Sequence, residues 1–206
     1  MAGVQLTGDW SKLREVLDGL ATISGRDIHR VVMGTILSST RQRFRSGYGP
    51  DNTKWPPSRR ALEGGGRTLR DSGDLAGSIT GEFGESFAAV GTNKIKAAIH
   101  QFGGTIKPDK AKALAIPISR EARKALGPRK FGRELELIWP KGSKFGWLVE
   151  NQAGRGPSGK GAQSIFHYRL AKKVEMPARS FLGISTLDRH NIQDDLRTYY
   201  KRKVRL

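Results

Sequence analysis

The stretch that most constrains this chain is Met176-Pro177-Ala178-Arg179-Ser180-Phe181-Leu182-Gly183. Pro177 fixes its own φ and biases Met176 toward extended geometry, so a strand can end there. Phe181 and Leu182 anchor the turn that follows by burial, each contributing about 1.5–3 kcal/mol when fully covered. Gly183 then releases the chain into a last helix. The segment predicts a corner between a strand and a terminal helix, and that corner sets where the helix docks.

The rest of the chain must supply a core to receive it, and composition limits that core. The 206 residues suffice for one domain, or for one domain with arms. Only 36% are hydrophobic and the mean hydropathy is −0.51, which predicts a modest core with excursions that need partners. The 26 glycines and 9 prolines predict many turns. No apolar run approaches the roughly 20 residues that span a bilayer, and the N-terminus lacks a signal-peptide pattern. The expectation is a protein cytosolic when made, with no membrane partner. The absence of cysteine excludes disulfides and thiolate chemistry.

Charge is high and uneven. The net charge is +18; residues 1–100 carry 14 basic and 10 acidic groups, whereas 101–206 carry 23 and 9. A field of that sign favours nucleic acid, an acidic protein surface or anionic lipid, without choosing among them.

Helical periodicity opens the chain. Asp9 caps a helix over 9–21, with Trp10, Leu13, Leu17 and Leu20 on one stripe. A second helix fits 26–45, with Ile28, Val31, Val32, Thr35, Ile36 and Ser39 toward the core and Arg26, Arg30, Arg41, Arg43 and Arg45 outside. The two read as an antiparallel hairpin. Turn residues then dominate from Ser46 to Arg67, where Trp55 is expected to tuck over a core edge and Gly64-Gly65-Gly66 to act as a hinge. No lysine follows that triplet as a phosphate loop requires. Residues 69–75 form a turn, and 78–83 with 86–90 form a β-hairpin. Residues 97–102 fit a short helix or a buried strand equally.

Residues 105–170 read as an insertion. Leu114–Ile118 is a strand that Pro117 places at an edge. Residues 121–126 fit a helix, and 135–139 with 145–150 a strand pair. The 154–161 segment is glycine-rich and basic, the composition of an arm. A strand over 165–174 leads into the corner. Ser185 caps a final helix over 186–201, with Asp188 near its start, Leu187, Ile192, Leu196 and Tyr199 or Tyr200 on one face, and a basic tail beyond.

Catalytic constellations are not legible. His29, His100, His167 and His190 are scattered without metal-ligand spacing or a paired carboxylate, and His100 reads as a buried histidine. Asp71 and Asp74 read as turn and cap residues rather than as an acid–base pair. No nucleophile elbow, phosphate loop or dinucleotide fingerprint occurs. No cofactor is expected. The basic residues are spread over loops and ends rather than along a recognition helix, so specific base reading is not expected, while non-specific phosphate contact stays open.

Six blocks together resemble the phage virion morphogenesis, or tail completion, proteins of tailed phages. They are Phe44 through Trp55-Pro56-Pro57, Leu69-Arg70-Asp71-Ser72-Gly73-Asp74-Leu75, Val90-Gly91-Thr92-Asn93, Ile99-His100-Gln101-Phe102-Gly103-Gly104, Leu114-Ala115-Ile116-Pro117 and the 176–183 corner. Order and spacing agree across roughly residues 40–190. Two positions depart: Lys96-Ala97-Ala98 replaces a tyrosine-alanine, and Ser180 stands where proline is common.

The resemblance implies an α+β subunit, with a helical hairpin and a C-terminal helix on a small antiparallel sheet that carries a loop-rich insertion. It also implies a non-enzymatic virion part, assembled as a ring, hexameric by analogy. Such a ring acts at the head–tail neck, with the tail tube and head connector as partners, after assembly in the host cytoplasm. Trp55, His100, Phe102, Pro177, Arg179 and Phe181 then read as structural or interface anchors, with Arg179 bridging to a neighbour's carboxylate or to its own helix end. Lys141, Lys144, Arg155, Lys160, Lys172, Lys173, Lys201, Arg202, Lys203 and Arg205 form a candidate basic contact surface, for acidic ring surfaces or DNA in transit. The competing reading is a basic nucleic-acid-binding protein acting in packaging; a wall hydrolase is more distant.

Overall fold

The computed structural model describes residues 11–125, 127–152 and 163–204. The expected cap Asp9, Trp10, the helix end at Leu126, the 154–161 arm, Arg155, Lys160 and Arg205 lie outside them. In chain order the first elements are α1 (Ser11–Ala21), α2 (Gly25–Ser46), α3 (Arg59–Gly64), α4 (Asp74–Gly77), β1 (Thr80–Phe83), β2 (Ala88–Gly91) and α5 (Ala97–Phe102). There follow β3 (Gly104–Ile106), β4 (Leu114–Pro117), α6 (Arg120–Lys124), β5 (Glu136–Ile138), β6 (Phe145–Gln152), β7 (Gln163–Ala171), β8 (Val174–Met176) and α7 (Thr186–Val204). Helices with small antiparallel sheets make this an α+β protein. It divides into two compact units, Met1–Gly103 with Pro177–Leu206, and Gly104–Met176.

In the first unit α2 is the spine, packing against β1, β2 and α7. Ser24 starts it by accepting the Asp27 backbone N–H at 3.1 Å, and Asp27 places a negative charge in the first turn where the helix dipole favours one. The core gathers Phe44, Trp55, Ile79, Ala97 and Phe181, flanked by Leu37, Leu69, Leu75, Ala76, Val90 and Leu182. The expected hairpin of the first two helices is corrected here. α1 packs on α7, where Gly19 lies against Val204, rather than along α2. Leu17 and Leu20 stay exposed.

The expected single central sheet is also corrected. Among the described residues, the sheet of the first unit is the β1–β2 hairpin, while the second holds a β3–β8 pair and a four-stranded sheet ordered β4-β7-β6-β5. Pro117 does lie on an edge strand, where its missing N–H breaks no ladder. The predicted strand over 165–174 breaks at Lys172-Lys173, because the chain changes partner from β6 to β3 there. β7 carries one extra residue opposite the Leu148–Val149 step: Tyr168 pairs with Leu148 and Phe166 with Val149. His167 is that bulge residue, which lets it and Tyr168 both be buried and both touch Phe131.

Candidate functional site

Three distant side chains converge on the backbone of the corner. Trp55 donates its indole N–H to the Ser180 carbonyl at 3.0 Å and meets Phe44 edge-on at 5.6 Å. Gln101 accepts from the backbone N–H groups of Phe181 and Leu182, both at 3.0 Å, and donates to the Leu182 carbonyl at 2.9 Å. Arg43 Nη1 donates to the carbonyls of Phe181 (3.0 Å) and Gly183 (2.8 Å). The Phe181 side chain is fully buried, with its ring 5.1 Å from that of Phe44. Gly183 closes the turn at φ 150°, where a Cβ would come within 2.8 Å of Pro50. Buried backbone groups need partners, and these side chains supply them in place of regular secondary structure.

Arg43 also binds Asp188, and both are buried, at 6% and 1% exposure. Asp188 accepts the Ser185 backbone N–H at 2.7 Å while Ser185 Oγ accepts the Asp188 N–H at 3.0 Å, a reciprocal cap that starts α7. One guanidinium thus ties the end of α2, the corner and the start of α7. Arg43 was expected outside and Leu187 inside. The structure reverses both, since Leu187 is 67% exposed and Asp188 takes the buried position beside it.

Burial pushes the Asp188 carboxyl up, but hydrogen bonds from Ser39 and Ser185 and the Arg43 charge outweigh it and hold the group below the usual carboxylate value. Burial, with the nearby Arg179 and Lys96 charges, lowers the pKa of His100 below the usual 6.5. The signs agree in direction. As pH falls through 6.5 the unfolded chain takes up the histidine proton first, and stability drops. The Asp188 contribution is complete above 3.8, the ordinary value, and is lost as pH falls through the lower folded-state pKa. Melting temperature is expected to fall below about pH 6.5 and again below about pH 4. His100→Gln should remove the first step alone, measured by circular dichroism.

Arg179 is 4% exposed and donates to the carbonyls of Pro56 (2.7 Å) and Pro57 (3.3 Å), while its own N–H donates to His100 O at 2.7 Å. In place of the two expected partners, a neighbour's carboxylate or its own helix end, the guanidinium fastens the Trp-Pro-Pro loop of its own chain. Phe102, expected as a structural or interface anchor, does not serve as an anchor within its own subunit. It stands 78% exposed, and the anchor in the Ile99–Gly104 block is Gln101. His100 is half-buried, with Nδ1 lacking a partner, and Pro177 is exposed. Lys141, Lys144, Lys172 and Lys173 are exposed in the second unit, and Lys201, Arg202 and Lys203 are exposed in the first. Asp71 and Asp74 are separately paired, with Arg60 (3.4 Å) and Lys94 (2.7 Å).

One constellation was not legible beforehand. In the second unit His167 lies between Ser119, whose Oγ is 2.8 Å from Nδ1, and Glu150, whose Oε2 is 3.0 Å from Nε2. A hydroxyl, an imidazole and a carboxylate in line suggest a hydrolytic relay. The surroundings give them another task. Ser119 Oγ caps α6 by accepting the Ala122 N–H at 3.0 Å, Arg133 holds the same Glu150 oxygen at 2.8 Å, and Phe131 covers the buried imidazole at 4.4 Å. The line fastens the bulge to α6. Among the described residues, no three or more His, Asp or Glu gather as metal ligands, and no helix is long and apolar enough to cross a membrane.

The corner is thus a backbone turn held in place by side chains of its own chain. The family comparison gives the class: residues 8–135 match the phage virion morphogenesis family, and the chain belongs to it. A G protein of Escherichia phage Mu, named for capsid assembly, is 37% identical over 138 residues, 61% of this chain and 84% of that protein. The Mu-like prophage FluMu G protein 2 of Haemophilus influenzae is 37% identical over 97 residues, 47% of this chain and 64% of that protein. No solved structure matches. The family match ends before the 176–183 corner, yet Arg43, Trp55 and Gln101, which hold it, all fall inside the matched residues.

Proposed function

We propose that this virion morphogenesis protein forms an oligomeric ring at the head–tail neck, where it completes the tail and joins it to the head. The observation that carries the reading is the exposure of Ile95, just before α5, and Phe102, its last residue, at 97% and 78%. A large aromatic in a shared sequence block, held out into solvent, suits contact with a neighbour, because aromatic side chains are enriched at interfaces. The small core has the same explanation, since neighbouring subunits cover what one chain cannot. Ring number follows the family analogy of six. The tail tube and head connector are the proposed partners, and the virion neck is the proposed location.

The second reading, a nucleic-acid-binding protein, is favoured by the +18 charge alone. Light scattering at about 0.1 M and 1 M salt, with and without duplex DNA, separates the two. The ring reading expects a multiple of the subunit mass that persists at high salt and ignores DNA. A monomer that binds DNA only at low salt would replace it with the alternative.

A further inference from the structure

We infer that one end of the sheets in the second unit is a contact surface for the phosphate backbone of duplex DNA, engaged without regard to base sequence. The inference goes beyond the ring reading and does not rest on it, since Ile95 and Phe102 belong to the first unit.

Strand register builds the surface. Leu114, Ala171 and Phe145 are paired side by side across β4, β7 and β6, so Lys112, Lys172 and Lys144 flank the same end of three adjacent strands. Ile106 is paired with Val174, which sets Lys107 beside Lys173 where the chain passes from β7 to β8. Lys141 joins them in the turn between β5 and β6. All six lysines are exposed.

Their charge is not cancelled nearby. Among the described residues, Lys173 is the one of the six in an ion pair, with Glu175 at 2.7 Å. Lys110 and Asp109 share the 107–113 loop and offset each other. Glu121 follows the far end of β4, and Glu134, Glu136 and Glu150 lie at the start of β5 and the far half of β6. Five lysines are left for a polyanion. Strands lie about 4.8 Å apart, so the ends of β4, β7 and β6 span about 10 Å, and a duplex presents about six phosphate charges over that length.

Side-chain chemistry selects duplex DNA among polyanions. Protein interfaces are enriched in arginine and aromatic residues and depleted in lysine, yet this end is all lysine in a chain that holds more arginine. Lysine meets phosphate as a point charge on a flexible stem, which suits a contact blind to sequence. Single strands need open aromatic faces for stacking. Here Phe145 is half-buried, and the Arg169 guanidinium already lies over its ring at 3.5 Å. Stable membrane attachment needs an apolar signal besides charge, and Ile106, 37% exposed, is the large apolar side chain offered beside the lysines.

Non-specific contacts of this kind have Kd of about 10⁻⁴–10⁻⁶ M at physiological salt. They leave the mass at about 0.1 M unchanged and are read at lower salt. The test is fluorescence anisotropy of two unrelated labelled duplexes of about 20 base pairs, between about 0.02 and 0.1 M salt. Both should bind equally, with a slope of log affinity on log salt of about −4.5 for one engaged subunit. K112Q/K144Q/K172Q should bring the slope to about −2 and weaken binding about tenfold or more, with melting unchanged. K112R/K144R/K172R should bind like wild type. K201Q/R202Q/K203Q, an equal loss of charge in the first unit, should keep the wild-type slope. No binding at about 0.02 M, a glutamine variant with the wild-type slope, or an equal loss from the 201–203 variant would overturn the inference. So would displacement of the duplex by polyglutamate of matched charge, which would make the partner an acidic protein. Preferential binding to vesicles containing about 30% phosphatidylserine would make it a membrane. None of these outcomes touches the ring reading, which is tested by mass.

Discussion

Replacing Asp188 with alanine is expected to destabilise the first unit by about 3–5 kcal/mol, because it leaves the Arg43 guanidinium buried without its counter-charge. Natural domains have only about 5–15 kcal/mol in total, so the variant should unfold at much lower urea. Asp188→Asn separates charge from cap geometry. An amide oxygen can still accept the Ser185 N–H, and what remains lost is the ion pair. Arg43→Met should cost at least as much as Asp188→Ala, since it strands Asp188 together with the Phe181 and Gly183 carbonyls. The double variant R43M/D188L restores part of the loss by removing both charges. The two carbonyls stay unmet, so it should remain below wild type. Full recovery to wild-type stability in urea would show that the guanidinium does not clamp the corner.

Local chemistry was legible wherever one segment decided its own structure. The second helix was read over 26–45 and spans Gly25–Ser46, and the last was read from 186 with Ser185 as its cap. The choice left open at 97–102 resolves to helix. What the sequence hid were decisions made by distant partners. Arg43 lies seven residues after Ile36 and four after Ser39, which is the core stripe; its charge argued for the outside, and only the corner carbonyls and Asp188 reverse that. The same holds for Gln101. It looks like one polar residue among three motif positions until two N–H groups from eighty residues away need an acceptor. His167 could not be paired in advance, because a one-residue bulge in β7 is what turns it toward Ser119 and Glu150. The corner itself was legible as a corner, from Pro177, the Phe-Leu pair and Gly183. Its receiving site was not, since no periodicity connects residues 43, 55 and 101.

Phe181→Ala is the second large effect, and it connects stability to assembly. The ring is wholly buried among Phe44, Trp55, Ile79 and Ala97, so truncation should cost about 3–5 kcal/mol in lost transfer energy and cavity. Phe181→Leu refills most of that space and should cost clearly less. The backbone N–H to Gln101 survives in both, which isolates the contribution of the buried ring from that of the hydrogen bonds. The consequence for assembly follows from position. Pro50 packs on Gly183 and α7 begins three residues after it, so the 48–52 loop and the last helix both hang on this turn. A loosened corner should therefore weaken self-association together with the melting temperature. If Phe181→Ala melts and assembles like wild type, the corner is not the anchor of this fold.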